Sequence, residues 1–149
     1  MPRLHTEMVV PAPIEKVWAF HAEVANLLCV IPLNMKPHLV KVHSDFGPGT
    51  EFVLRMGFGY WWVHWHARIV EADPPRRFVD EQIAGPFESF RHEHRFETLS
   101  DGRTRLVETI DYRVRRGVLG ALADLLFVRW QLRGLFSFRR RALRRLLGS

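Results

Sequence analysis

Between His5 and Val10 the chain alternates, with Thr6, Met8 and Val10 on one side and His5, Glu7 and Val9 on the other. That is the period-two signature of a strand. Pro11-Ala12-Pro13 ends it, and the positions of Val17, Trp18, Phe20, His21, Val24 and Leu28 predict a helix over 14–26 with one apolar side. Pro13 suits its first turn and Glu15 its dipole. Pro32, Asn34 and Pro37 confine a second helix to a short piece over 27–31. Strand signals then follow over 38–43, 50–56, 60–71, 77–83, 87–99 and 104–114. Turn strings separate them: Phe46-Gly47-Pro48-Gly49, Gly57-Phe58-Gly59, Asp73-Pro74-Pro75, Gly85-Pro86 and Ser100-Asp101-Gly102.

Two strands have clear faces. In 60–71, Trp61, Val63, Trp65, Ala67 and Ile69 face one way, and Trp62, His64, His66 and Arg68 the other. In 87–99, Phe90, His92, His94 and Phe96 oppose a solvent face of Arg91, Glu93, Arg95 and Glu97. Gly117 and Gly120 flank the start of a final helix over 119–147. Its apolar stripe of Leu122, Leu125, Leu132, Phe136, Leu143 and Leu147 is widened by Phe127, Val128, Trp130 and Leu135. So wide a stripe needs a cover, and the sheet is the only large surface available. The pattern predicts one α+β domain over 1–149, with a curved antiparallel sheet of six to seven strands around a long C-terminal helix. Two short helices follow the first strand. One helix leaves a gap on the concave side, and such a gap suits a ligand.

Composition narrows the function classes. Apolar residues make up 47% and charged residues 26%, a globular balance rather than a disordered one. No run of 18 uncharged apolar residues suggests a membrane span, and the polar start Met1 to Glu7 does not resemble a signal peptide, so the expected compartment is the cytoplasm. Cys29 is the only cysteine, which excludes an intrachain disulfide. Its apolar neighbours Leu27, Leu28, Val30 and Ile31 predict a buried, unreactive thiol. The formal charge of +6 is concentrated in Arg139-Arg140-Arg141 and Arg144-Arg145. That cluster reads as a solvated helix end, with weak contact to an anionic surface as the alternative and no nucleic-acid partner expected. A homodimer is left open. Neither a phosphate loop nor a Gly-x-Ser-x-Gly elbow occurs, which disfavours nucleotide chemistry and covalent hydrolysis.

The string Pro11-Ala12-Pro13-Ile14-Glu15-Lys16-Val17-Trp18, the strand meander and the closing helix resemble the SRPBCC superfamily, the START-like or helix-grip fold that includes polyketide cyclase/dehydrase-like proteins. Phe78-Val79-Asp80-Glu81-Gln82, Gly85-Pro86-Phe87, His92-Glu93-His94-Arg95-Phe96, Asp111-Tyr112 and Gly117-Val118-Leu119-Gly120 are similar to its bacterial ligand-binding group. The resemblance implies binding or carriage of a small hydrophobic or amphipathic molecule, with a cyclase- or dehydratase-type enzyme as the alternative. No cofactor is expected.

The residues expected at the ligand are His92, His94, Thr109, Asp111 and Gln82 as polar contacts, with Trp65, Phe90, Trp18 and Trp130 as aromatic lining. Pairing about Asp101-Gly102 places the histidines near Thr109 and Asp111, and Asp80 joins if its strand faces the same way. A buried histidine–carboxylate pair can be a satisfied structural network, a ligand contact or an acid–base pair. A metal set drawn from His64, His66, His92, His94 and Asp111 has conflicting faces, so no metal is expected.

Overall fold

The computed structural model describes residues 3–43, 45–58, 60–115 and 127–148. Strand β1 (Arg3–Val10) leads into helix α1 (Ile14–Ala22), a 3-10 segment (Val24–Val30) and a 3-10 turn (Leu33–Met35). Six strands follow: β2 (His38–His43), β3 (Glu51–Phe58), β4 (Trp61–Asp73), β5 (Arg77–Ala84), β6 (Ser89–Thr98) and β7 (Thr104–Arg113). Helix α2 (Arg129–Leu147) closes the chain. The expected helix residues Leu119, Leu122 and Leu125 and the flanking Gly117 and Gly120 lie outside the described residues.

All seven strands join one sheet in the order β1-β7-β6-β5-β4-β3-β2, every pair antiparallel. Register shifts at Leu39/Lys41, His66/Ala67 and Ile69/Glu71 interrupt the ladders. Such bulges increase local twist and let a sheet curl. Helix α2 runs along β1 on the concave side. Leu132 and Phe136 pack with Phe90, Ile110, Tyr112 and Leu4, and Leu143 and Leu147 with Val10 and Ala12. The convex face carries ion pairs instead, Arg77 with Glu71 and Glu93, and Arg91 with Glu71 and Glu81.

The first helix is shorter than its periodicity predicts. Glu23 is extended (φ −91°, ψ 101°), and Asn26 Nδ2 donates to the Phe20 carbonyl at 3.0 Å. That side chain supplies the donor a continuing helix would take from residue 24. The following segment has three residues per turn, so Val24, Leu27 and Val30 share its inner face. Cys29 falls off that face and is exposed, contrary to the buried thiol expected.

Candidate functional site

Three neighbouring central strands build the polar part of the concave face. On β6, His92 and His94 are two apart and share the inner side, both buried. Asp80 on β5 lies opposite His92, and Glu108 on β7 lies opposite His94. Directly opposed residues share a face, so the four side chains converge. His94 Nε2 is 2.9 Å from Asp80 Oδ2, and His92 Nε2 is 2.8 Å from Glu108 Oε2. The remaining nitrogens complete a ring: His92 Nδ1 stands 3.9 Å from Asp80 Oδ2 and His94 Nδ1 3.3 Å from Glu108 Oε2. From α2, Arg139 Nε approaches the other Glu108 oxygen, Oε1, at 3.3 Å as an ion pair outside hydrogen-bonding geometry.

The electrostatics follow from burial. Burial alone raises the Glu108 carboxyl, but the Arg139 charge, the His92 hydrogen bond and the two imidazoles outweigh it and hold Glu108 ionised. Burial raises the pKa of Asp80 above the usual carboxylate value. His94 is pushed well below the ordinary imidazole value by desolvation and by its neighbours His92 and Arg139. His21 on α1 falls to about 4, through desolvation first and Arg139 second. Its Nδ1–H donates to the Val17 carbonyl at 2.8 Å, which leaves Nε2 as a buried acceptor without a partner.

Beside this polar cluster, a pocket of about 140 Å³ separates the sheet from α2 and the 3-10 segment. Its lining is mostly apolar, including Trp65, Phe90, Leu132, Leu135 and Phe136, and Asp80, His92, His94, His21 and Arg139 form its polar side. Trp65 meets Phe90 edge-on, with ring centroids 4.6 Å apart. His94 stacks on Phe78 at 3.9 Å and 14°.

Four expected site residues therefore meet here: His92, His94, Trp65 and Phe90. The other five do not. Asp111 faces outward and pairs with Arg3 at 2.6 Å, and Thr109, also outward, lies 3.3 Å from His5. Pairing symmetrically about the two residues Asp101-Gly102 would set His94 opposite Thr109 and His92 opposite Asp111. The observed register sets them opposite Glu108 and Ile110, because the hairpin loop has five residues, 99–103. A slip of one residue exchanges the two faces of a strand.

Gln82 uses its amide locally, donating to the Phe87 carbonyl at 2.9 Å and accepting from Phe87 N–H at 3.2 Å, so it locks the β5–β6 turn. Trp18 packs edge-on against Phe46, Phe78 and Phe96 in the core, away from the pocket lining. Trp130 is 70% exposed. Two residues before Leu132 is about 200° around a helix, which puts Trp130 on the opposite side. His64 and His66 lie on the convex face, with His66 Nε2 3.3 Å from Glu51, so they never join the inner histidines.

Glu108 and Arg139 were missed. Arg139 belongs to the Arg-rich terminus read as solvated, yet it is 8% exposed, whereas Arg141, Arg144 and Arg145 are exposed. The missed signal was spacing: Leu132, Phe136, Arg139 and Leu143 recur at steps of four, three and four, one continuous helical stripe.

A seven-stranded antiparallel sheet gripping a C-terminal helix, with a pocket between them, defines an α+β protein of helix-grip type. The chain belongs to the "Polyketide cyclase / dehydrase and lipid transport" family, whose pattern matches residues 1–148. Solved structures agree on the fold. A Thermus thermophilus protein aligns over 95% of this chain and 97% of its own, at 19% identity and a TM-score of 0.73. The Zhui aromatase/cyclase of a Streptomyces species aligns over 97% and 95%, at 20% identity and a TM-score of 0.69. A nucleoside-diphosphate sugar epimerase of Corynebacterium glutamicum is similar over 95% of this chain but only 28% of its own, at 21% identity and a TM-score of 0.69. No curated protein matches the sequence. Among the described residues no helix is long and apolar enough to cross a membrane.

Proposed function

We propose that this protein binds a small apolar or amphipathic molecule between the sheet and α2, with the polar end of that molecule directed at Asp80, His92, His94 and Arg139. One observation carries the reading: an apolar pocket of about 140 Å³ ends at a buried polar cluster. A dry cavity of about 150 Å³ accommodates benzene, so the space as it stands fits one six-membered ring. A longer ligand must displace the 3-10 rim at Val24, Leu27 and Val30. The unpartnered His21 Nε2 accepts a hydrogen bond and Arg139 donates them, so a hydroxyl-bearing ring such as a phenol suits both.

The test is occlusion. Leu135 is half-buried at the pocket wall. Leu135→Trp is expected to weaken phenol binding about tenfold or more by calorimetry while moving Tm by no more than about 2 °C. Unchanged binding would place the ligand elsewhere.

A second reading, a cyclase or dehydratase, is favoured by the 2.9 Å approach of His94 Nε2 to Asp80 Oδ2 at the pocket. It requires that a bound molecule be converted by the wild type, and bound but left intact by His94→Gln.

A further inference from the structure

Two histidines and two carboxylates meet on the inner face of the sheet, their ring nitrogens 2.8, 2.9, 3.3 and 3.9 Å from carboxylate oxygens. Glu108 Oε2 faces His92 Nε2 and His94 Nδ1, and Asp80 Oδ2 faces His92 Nδ1 and His94 Nε2. His92 Nδ1, His94 Nε2 and Asp80 Oδ2 therefore converge on the side turned away from Glu108.

We propose that Asp80, His92 and His94 form a binding site for one divalent first-row cation, of the Zn²⁺, Fe²⁺ or Co²⁺ kind, opening onto the pocket. One ligand atom from each of the three lies within 4.8 Å of the others. Metal–ligand bonds of about 2.0–2.2 Å require ligand atoms about 3.0–3.5 Å apart. The 2.9 Å separation falls just short of that range and the 3.9 Å one just beyond it, so both need a small side-chain adjustment. Two imidazoles and one carboxylate, with no thiolate, are donors that such ions accept.

The surroundings support the assignment. Glu108 Oε2 bonds His92 Nε2 at 2.8 Å, the nitrogen turned away from Asp80, which is how an outer carboxylate fixes the tautomer and orientation of a metal-ligating histidine; it lies 3.3 Å from His94 Nδ1, outside hydrogen-bonding geometry. Arg139 Nε approaches Glu108 Oε1 at 3.3 Å, so a positive charge stands beside the outer carboxylate at the oxygen turned from the imidazoles. All three ligating residues line the pocket, so the remaining coordination positions face it. The charges define the co-ligand. Asp80 and Glu108 contribute two negative charges and Arg139 one positive, so a divalent ion leaves one positive charge in a buried site. An ionised oxygen on an apolar body, a phenolate or an enolate, neutralises it. This co-ligand rests on the binding reading above; the metal site does not.

The experiment is a titration of full-length, chelator-treated protein lacking an affinity tag with Co²⁺, followed by its visible absorption. About one Co²⁺ per chain is expected, with two imidazoles counted by X-ray absorption spectroscopy of the wild-type protein. Asp80→Asn, close in size, is expected to weaken uptake by at least about 100-fold, since losing a ligating carboxylate costs no less than losing an outer partner of one. The double variant His64→Ala/His66→Ala on the convex face is expected to leave uptake unchanged. No uptake by folded wild-type protein, an imidazole count other than two, or uptake lost with the convex pair each overturns the proposal. The imidazole count needs no variant, so misfolding of Asp80→Asn leaves the test intact. Phenol binding without Co²⁺ uptake would remove the metal and leave the binding reading standing. Co²⁺ uptake without phenol binding would do the reverse.

Discussion

Replacing Glu108 by alanine is expected to lower the free energy of unfolding by about 3–5 kcal/mol, the range for removing one partner of a buried ion pair. The side chain is 3% exposed and is approached by two imidazoles and the Arg139 guanidinium. Its loss strands Arg139, itself 8% exposed, without the carboxylate it faces. Asp111, three residues along the same strand, provides the contrast. Its pair with Arg3 is exposed, so Asp111→Ala is expected to change stability by less than about 1 kcal/mol. Joint replacement, Glu108→Leu with Arg139→Met, is expected to recover most of the single-variant loss, since apolar side chains of similar volume often replace a buried pair without net cost. Urea unfolding of the four proteins measures all of this. Equal losses for Glu108→Ala and Asp111→Ala would refute the β6–β7 register.

The second large effect is expected at Phe136, 4% exposed, on the inner stripe of α2. Its ring packs edge-on against His92 at 5.5 Å, and the Arg139 guanidinium lies 5.9 Å from the ring centroid. Phe136→Ala removes a ring from the pocket wall and is expected to cost about 3–5 kcal/mol. The same change adds roughly the space of a benzene ring next to the existing cavity. Two-ring phenols such as 1-naphthol are therefore expected to gain affinity relative to phenol, and they partly restore stability through binding. If the variant loses stability while its preference for ligand size stays the same, Phe136 is a core residue and not a wall of the ligand space.

The fold was legible because its signals are periodic and redundant. Alternation in β6 assigned Phe90, His92, His94 and Phe96 to the inside, and all four are buried. In β4 the same rule sent Ala67 and Ile69 inward and Trp62, His64 and Arg68 outward. The candidate site was legible only as far as it lay on one strand. Contacts between strands depend on register, and register depends on loop length. Counting the Asp101-Gly102 hairpin as two residues rather than the observed five moved the expected carboxylate from Glu108 to Asp111 and the expected hydroxyl to Thr109.

Trp65 and Phe90 line the pocket as expected, whereas Trp18 and Trp130 do not, for a different reason. Trp18 and Trp130 are large and apolar, but size does not say whether a side chain meets a ligand, a core or solvent. Trp130 could have been excluded by its angle from Leu132, and Arg139 included by its angle from Phe136. Gln82 does face inward as expected; its amide is already taken by the Phe87 backbone, a contact that alternation cannot reveal.

On the proposed reading, the space between β5–β6–β7 and α2 holds a small molecule whose polar end meets the inner histidines. Proton NMR of the histidine rings during a phenol titration examines it directly. The expected result is a saturable one-to-one shift of the His92 and His94 ring signals while those of His64 and His66 stay in place. Absence of any saturable shift at His92 and His94, or a shift confined to the convex pair, would contradict it.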